Sequence, residues 1–475
     1  MKIRNLKYFL LLTSLFCSSL YGQKTADQST LVFPQFRHAP IRKVGKYYLL
    51  LYAGMSTKIK NPQGLAVVKL NSRDDPDVSK DDDEITVYGV NSDDNSVIYN
   101  NSLLSIAVYG KDLPNEQSLK MPRGITANAD GRILVADTGN DRIVELKDSG
   151  SLSYVRSYGE KGNEAGKFNS PTDVQMDSQG NFYVVDSGNN RIQIFSADGE
   201  LMKIWGEDDN LKFQNPISIA VTDPLERWSY SKTGFSVIVD EGGKKLKKIS
   251  SEGVLMKEVS GKDLGFPNME FTFLAIDFYN NIYATDQKNN VIHKFKSDLT
   301  YLTTFGARGK KKNEFIEPRG IGIWRRLGQV IIAEKETVQY YLIGTDLLDV
   351  KLDNNRGNAQ ISGVLTERSY LNVDVFDSKN NFVKRLNRTG QKYGPGKITF
   401  RWNMMPGDFT ETLKEMTGYK RKKEYPIDEK VPPGRYKIIL ESKATYSSKK
   451  YFSDKVELKF EINDNGEILN IKIKD

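Results

Sequence analysis

The 475-residue chain contains one cysteine and two histidines, and both shortages limit its chemistry. Cys17 lies in an apolar N-terminal stretch, so a chain that has lost this stretch depends on packing and hydrogen bonds rather than on disulfides. His38 and His293 are too few for a histidine metal cage, and they make a serine–histidine triad hard to assemble. A zinc-dependent lyase is therefore not expected, and no catalytic residue is predicted.

Long hydrophobic runs are also absent beyond the N-terminus. Basic residues precede an apolar run from Tyr8 to Phe16, and small and polar residues follow as far as Gly22. This order is typical of a secretory signal, and the run is shorter than the roughly 20 residues that span a bilayer. We expect residues 1–22 to be a signal peptide and the protein to be exported: periplasmic, associated with the outer envelope, or secreted. A lipoprotein signal at Cys17 is the alternative, which the bulky Phe16 disfavours.

Charge is unevenly distributed along the chain. Lysine and arginine number 69 against 61 acidic residues, and the segment from residue 350 onward has 25 basic and 17 acidic residues. The basic excess of the C-terminal part is interpreted as a solvated lysine-rich surface, with peripheral contact to an anionic envelope surface as the alternative. The segment between the signal and residue 350 has a slight acidic excess, which together with the export signal argues against a nucleic-acid partner.

Internal repetition is the strongest feature that is present. The heptapeptides Asp137–Ile143 and Asp186–Ile192 are nearly identical and begin 49 residues apart. Further copies are progressively degenerate: Asp286–Ile292, Asp240–Leu246 and Glu334–Val338. β-rich runs flank each copy, and Asn, Asp and Gly tolerate the positive φ of a hairpin turn. Each repeat therefore predicts a hairpin, and the repeated Asp, Asn and Arg residues are interpreted as structural.

Each repeat extends into a larger unit of roughly 45 to 50 residues that fits one four-stranded propeller blade. A second turn precedes each hairpin, and a proline opens the innermost strand in all units but one. The six openings are Pro62, Pro122, Pro171, Pro216, Thr272 and Pro318. The sequence thus predicts an all-β fold, with a six-bladed β-propeller over residues 23–348. A strand near Tyr47 to Tyr52 is predicted to close the ring.

The segment from Pro122 to Phe305 resembles the NHL repeat family in its P-x-G opening and its D-x-G-N-x-R-I turn. The resemblance covers roughly residues 40 to 345 and is strongest in the second and third units. It implies a six-bladed propeller that usually serves as a binding platform and only occasionally as an enzyme.

Residues 349–475 follow a different β pattern. Strands are predicted at 359–365, 371–376, 382–386, 397–402, 435–442 and 455–462. A hairpin, a strand ending at Trp402 and the Pro433-Gly434-Arg435-Tyr436 strand resemble the immunoglobulin-like domain of the FlgD family of flagellar hook-capping proteins. That resemblance implies a small β-sandwich that acts as a spacer or docking unit. A long polar insertion between Asn403 and Lys430 departs from the family pattern and puts a flagellar role in doubt.

Residues just after the opening positions are predicted to line the rim of the central channel. They are Gln63, Arg123, Thr172 with Asp173, Ile217, Thr272 and Arg319. Two arginines and one carboxylate suit an anionic group or a polypeptide better than a cation, so Arg123, Asp173 and Arg319 are the candidate binding residues. The alternative is that both arginines pair with neighbouring acids.

The sequence therefore favours an exported, non-catalytic binding or scaffold protein whose partner is a protein or an envelope component. No cofactor and no metal ligand are predicted. The rival hypothesis is a calcium-dependent hydrolase or lactonase, with calcium held on the axis by oxygens from different blades. The acidic stretch from Asp74 to Glu84 lacks the spacing of an EF-hand loop and is interpreted as a solvated insertion.

Overall fold

The computed structural model describes residues 28–34, 42–45, 47–48, 51, 57–74, 85–102, 105–110, 113–207, 211–355, 357–407, 414, 418–419, 425–426, 428–446 and 452–474. The predicted signal peptide, His38 and most of the acidic stretch lie outside these residues. The regular structure that is described is almost entirely β. Within the described part of the chain, no helix has the length and apolar character needed to cross a membrane.

Two short strands, β1 (Leu31–Val32) and β2 (Lys43–Val44), precede a series of antiparallel sheets, of which the described residues form six. Sheet 1 consists of β3 (Pro62–Val68), β4 (Thr86–Asn91), β5 (Ser96–Ser102) and β6 (Ser105–Tyr109). Sheet 2 consists of β7 (Ile125–Ala127), β8 (Arg132–Asp137), β9 (Arg142–Asp148) and β10 (Leu152–Tyr158). Sheet 3 consists of β11 (Pro171–Met176), β12 (Phe182–Asp186), β13 (Arg191–Phe195) and β14 (Leu201–Trp205). Sheet 4 consists of β15 (Ser218–Thr222), β16 (Phe235–Asp240), β17 (Lys245–Ser250) and β18 (Leu255–Ser260). Sheet 5 consists of β19 (Leu274–Ile276), β20 (Ile282–Asp286), β21 (Val291–Phe295) and β22 (Tyr301–Phe305). Sheet 6 contains β23 (Ile321–Trp324), β24 (Gln329–Ala333) and β25 (Val338–Ile343).

The sheets form a closed ring, which makes this part of the molecule a β-propeller. The first strand of each sheet contacts the first strand of the next, and β23 of sheet 6 contacts β3 of sheet 1. The glycine of the P-x-G opening permits this approach: a Cβ on Gly124 would lie 2.4 Å from the Cα of Asp173 in sheet 3. A Cβ on Gly320 would likewise clash with the Gln63 carbonyl of sheet 1. The glycine of the opening motif therefore allows neighbouring sheets to pack closely around the channel.

The outermost strand of sheet 6 comes from the N-terminal segment. β1 pairs with β25, Leu31 opposite Ile343, and β2 pairs with the same strand farther along. The strand predicted near Tyr47 to Tyr52 is not found in the described residues of that range, because Tyr47 is helical and 88% exposed. Leu31 of β1 is instead fully buried in the core of sheets 5 and 6. The strand that pairs with β25 therefore lies earlier in the chain than the predicted one.

The repeated heptapeptide folds as a 3₁₀ turn between the second and third strands. Such turns occur at Ser92–Asp94, Thr138–Asn140, Ser187–Asn189 and Glu241–Gly243, and a further one, Asn71–Arg73, follows β3. In the regular copies the residue after the turn is left-handed, as at Asp141 (φ 51°) and Asn190 (φ 55°). The Asp that starts each copy is buried: Asp137, Asp186, Asp240 and Asp286 are all 0% exposed.

The C-terminal segment forms two facing sheets. One contains β26 (Leu347–Asn355), β27 (Asn358–Leu365) and β31 (Gly396–Trp402), and the other contains β28 (Ser369–Asp377), β29 (Phe382–Arg385), β30 (Lys392–Tyr393), β32 (Gly434–Ala444), β33 (Ser453–Ile462) and β34 (Ile468–Lys474). Alternate residues of β27 and β32 are buried, and side chains from both sheets share one core around Trp402 and Tyr436. The segment is therefore a β-sandwich.

A buried ionic cluster joins the sandwich to sheet 5. The Lys294 ammonium donates to the Glu367 carboxylate at 2.6 Å, and both side chains are almost completely buried. The Asn281 amide lies between the carboxylates of Asp277 and Glu367, at 2.9 and 3.2 Å. Tyr446 of the sandwich also packs into the core shared by sheets 5 and 6. Charge pairing and apolar contact therefore both fix the sandwich against the propeller.

Candidate binding sites around the channel

Asp173, one of the three predicted rim residues, lies between sheets 3 and 4. Its Oδ2 accepts hydrogen bonds from the Ser218 hydroxyl (2.8 Å) and the Ile219 amide (3.0 Å), and its Oδ1 accepts one from the Val174 amide (2.9 Å). Burial raises the pKa of Asp173 to about 6, although these hydrogen bonds and the charge of Arg123 favour the ionised form. Its carboxylate is thus occupied in joining two inner strands.

Arg319 closes the ring between sheets 6 and 1. Its guanidinium donates to the Pro62 carbonyl (3.3 Å) and the Asn61 side chain, and it pairs with Glu317 at 2.9 Å. The side chain is 7% exposed, and its Nε has no hydrogen-bond partner among the described residues. Arg319 therefore has a structural partner and one unused donor.

Arg123 lies close enough to both other rim residues to share their electrostatic environment. Burial lowers the pKa of the Arg123 guanidinium, the charge of Asp173 opposes that shift, and Arg319 adds to it. Among the described residues the guanidinium forms neither a hydrogen bond nor an ion pair, whereas the backbone carbonyl binds the Gly64 amide at 2.9 Å. The structure thus brings the three predicted residues together and gives each a different role. We call this end of the channel, where the inner strands begin, the channel opening.

The opposite end of the channel is crossed by Arg325, for which no sequence motif predicts a role. Arg325 follows β23 of sheet 6 and reaches sheet 4, where it donates to the Val221 carbonyl (3.0 Å) and the Thr222 hydroxyl (2.9 Å). Sheets 4 and 6 are not neighbours in the ring, so the side chain spans the channel. Burial lowers the pKa of Arg325, and the charge of Glu226 opposes that shift.

Beside Arg325 lies a surface that we call the arginine–aromatic surface: Leu225, Arg227, Trp228, Tyr230, Arg326 and Arg368. Arg227 and Arg326 lie over the Trp228 ring at 4.7 and 4.9 Å, and Arg368 of the sandwich lies over Tyr230 at 4.6 Å. Cation–π contacts of this kind restrict the arginine side chains while their N–H edges keep the ability to donate. Three parts of the fold therefore contribute to one surface.

Sequence reasoning missed this surface because its members are far apart in the chain. The connection between β15 and β16, which carries Leu225 to Tyr230, is much longer than the short turn at the same place in sheet 2. That length, together with its Arg-Trp-x-Tyr sequence, was the available signal. Arg326 and Arg368 could not be associated with it without the ring and the docked sandwich.

A cavity of about 420 Å³ lies beside sheet 5, where β26, the first strand of the sandwich, begins. Its lining includes Phe266, Tyr301, His293 and Leu348. The His293 Nδ1 is 2.7 Å from the Thr304 hydroxyl, and its Nε2 is 3.1 Å from Asp286. The Asp286 contact occupies the place that Lys247 takes with Asp240 in sheet 4, at 2.8 Å, so it belongs to the repeat architecture.

The rival hypothesis of a calcium-dependent enzyme requires several oxygen ligands at one place. Among the described residues, no group of three or more His, Cys, Asp or Glu side chains is arranged to hold a metal ion.

Comparison with known proteins agrees with the repeat pattern. A family model for the NHL repeat matches residues 119–146 and 168–195, which are the second and third sheets of the ring. The chain therefore carries NHL repeats in these two sheets, which belong to the ring that forms the β-propeller. No curated protein matches the chain in sequence.

Solved structures with a similar fold are distant in sequence. Virginiamycin B lyase from Staphylococcus aureus is 18% identical with a TM-score of 0.38, over 54% of this chain and 76% of that one. A gluconolactonase from Xanthomonas campestris is 11% identical with a TM-score of 0.42, over 66% of this chain and 97% of that one. PorZ, a surface component of the type-IX secretion system of Porphyromonas gingivalis, is 10% identical with a TM-score of 0.43, over 83% and 51%. None of these similarities carries an inference about activity.

Proposed function

We propose that this protein is an exported, non-catalytic binding protein in which a six-bladed propeller and an immunoglobulin-like sandwich, similar to that of the FlgD family, form one binding body. The observation that carries this proposal is the arginine–aromatic surface, because it is assembled from sheet 4, sheet 6 and the sandwich. The buried pair of Lys294 and Glu367 supports it, since it fixes the sandwich that contributes Arg368.

The chemistry of the surface fits a protein partner that displays carboxylates. Tryptophan, tyrosine and arginine are the residue types that contribute most binding energy at protein interfaces. Leu225 is 66% exposed and Tyr230 is 55% exposed, so an apolar contact area lies beside the arginines. Among the described residues, the guanidinium groups of Arg227 and Arg368 have no carboxylate partner, which leaves their planar donor edges for carboxylates of a partner.

Site-specific photo-crosslinking in the cells that produce the protein tests this proposal. A photoreactive residue at Leu225 is expected to give a discrete protein adduct that disappears when Trp228→Ala is added. The matched control is a photoreactive residue at Met202, which is 61% exposed on the outer strand of sheet 3 and is expected to give no adduct. Equal labelling at both positions, or an adduct that survives Trp228→Ala, would contradict the proposal, as would adducts with lipid alone.

Export is tested separately on the mature protein. N-terminal sequencing is expected to start at Gln23, and fractionation is expected to place the protein in the envelope or the medium. A retained Met1 in a cytoplasmic fraction would contradict export. Hydrolysis of lactones by the purified protein in the presence of calcium would favour the enzymatic alternative.

A further inference from the structure

The channel opening is lined by six residues that occupy equivalent positions in the six sheets. In four of them the residue donates its backbone N–H to the second strand of its own sheet: Arg123 to Ala136 (3.0 Å), Ile217 to Val239 (2.9 Å), Thr272 to Thr285 (2.8 Å) and Arg319 to Ala333 (2.8 Å). The side chains at these positions therefore start from one level of the channel, and the ring brings them around a common axis.

Hydrogen-bond donors at this level are left without acceptors. The Thr172 hydroxyl is buried without a partner among the described residues, in a side chain 4% exposed. The Nε of Arg319 is likewise buried without a hydrogen-bond partner, and the Arg123 guanidinium has no acceptor among the described residues. Buried polar groups in folded proteins are nearly always paired, so two unused buried donors and the half-buried, unpaired guanidinium of Arg123 indicate an acceptor that comes from outside the chain.

The nearby carboxylates do not supply that acceptor. Asp173 directs both oxygens to Ser218 and to backbone amides, and Glu317 pairs with Arg319 and Lys335 at 2.9 and 2.8 Å. The guanidinium of Arg123 is thus half-buried without a carboxylate in contact. Such a site favours an anion, since an unpaired buried charge is costly and a bound acceptor removes that cost.

We propose that the channel opening binds a small oxoanion, a carboxylate or a phosphate group, with Arg123, Thr172 and Arg319 as donors. The planar fork of arginine matches the two oxygens of such groups, and the threonine hydroxyl adds a neutral donor. The anion is either free in solution or the terminal group of a larger ligand that enters from the open end. This site lies at the opposite end of the channel from the arginine–aromatic surface and does not depend on it.

Titration calorimetry of the full mature protein with inorganic phosphate and with acetate, at constant ionic strength, tests the proposal. We expect saturable binding of at least one anion and at least a tenfold loss of affinity in Arg123→Gln. Thr172→Val, which conserves shape, is expected to weaken binding several-fold, and it keeps the test valid if Arg123→Gln folds poorly. Arg388→Gln, at an exposed position of the sandwich, is the control and should bind as the wild type does.

Glucose 6-phosphate distinguishes the two sources of the anion. Binding as tight as that of phosphate identifies the site as a receptor for a terminal phosphate on a larger ligand, whereas binding of phosphate alone identifies a site for free anions, and either result supports the donor set. Absence of saturable binding of both phosphate and acetate by the wild type would overturn the proposal, and so would unchanged affinity in both Arg123→Gln and Thr172→Val.

Discussion

At the scale of single residues, the first aspartate of each repeat pairs with a basic side chain, but the type of that side chain differs between repeats. Asp137 and Asp186 each bind the Nε of an arginine at 2.8 Å, Asp240 binds Lys247, and Asp286 binds His293. A buried carboxylate needs a donor from the third strand, but several donors satisfy that need. The heptapeptide therefore degenerates along the chain without loss of its turn, and one of the two histidines has a structural reason to be where it is.

Asp186→Ala is expected to destabilise the protein by about 3–5 kcal/mol. The substitution removes the acceptor for the Asn169 amide (2.8 Å) and for the Nε of the buried Arg191 (2.8 Å), so a buried charge loses its main partner. The free energy of unfolding from urea denaturation measures the loss. Asp198→Ala, at an exposed turn of the same sheet, should change it by less than about 0.5 kcal/mol. Equal effects of the two substitutions would show that the repeated aspartate is not a structural residue.

The rim residues show how far residue-level prediction extends. Their positions after each opening proline were predicted from spacing alone, and the structure places Arg123, Asp173 and Arg319 around one end of the channel. Their individual contacts were not predictable, because the partners of Asp173 and Arg319 belong to neighbouring sheets, 45 and more than 250 residues away. Spacing specifies where a side chain starts, and cross-sheet packing decides what it binds.

At the scale of elements, strand positions in the propeller follow the repeats closely because each strand is bounded by a local signal. Proline, glycine and the left-handed turn residues all act within a few positions of the strand that they begin or end. β1 has no such signal: its two residues become a strand only because β25 presents an unpaired edge. β26 of the sandwich was missed for a similar reason, since it joins directly onto the last sheet of the ring. β34, the last strand of the sandwich, was not predicted either.

Gly124→Ala tests the role of the opening motif in packing one sheet against the next. The added Cβ would lie 2.4 Å from the Cα of Asp173, which is backbone and cannot move aside as a flexible side chain would. Overpacking of this kind is expected to destabilise the protein by about 1–3 kcal/mol and to lower its melting temperature. Gly394→Ala, where a Cβ would meet no atom within 4 Å, is the control in thermal melting and should leave the transition in place. A stable Gly124→Ala variant would mean that the glycine is not needed for ring packing.

At the scale of the whole molecule, the ionic cluster decides whether the propeller and the sandwich behave as one body. Asp277 and Glu367 are two carboxylates beside one buried lysine, and Tyr283 donates to Asp277 at 3.3 Å. Burial is the main cause that raises the pKa of both carboxyl groups, and Lys294 opposes the shift. The single lysine balances the charge of one ionised carboxylate. The second carboxyl group of the cluster is therefore more easily protonated in the folded protein than in the unfolded chain.

Lys294→Met is expected to cost about 3–5 kcal/mol at pH 8, because it leaves buried carboxylates without their cation. The loss should be smaller at pH 5, because Glu367, whose pKa is raised to about 7, takes up a proton in the folded state. Urea denaturation at both pH values measures the difference. Lys296→Met, two residues along and with a side chain 36% exposed, should have little effect at either pH. A loss that is independent of pH would point to packing rather than charge as the contribution of Lys294.

Glu367 gives the interface a dependence on pH whose sign follows from its pKa. Burial raises that pKa from 4.5 to about 7, so the folded protein keeps a proton that the unfolded chain releases. The stabilisation from this group is complete below about pH 4.5 and is lost as the pH rises through about 7. Glu367→Gln removes the titration and leaves Asp277 as the single partner of Lys294, so we expect the urea midpoint to fall less between pH 5 and pH 8 than in the wild type. Glu200→Gln, at an exposed turn, should keep the wild-type slope, and an unchanged slope in Glu367→Gln would exclude this carboxyl group as the titrating link between sheet 5 and the sandwich.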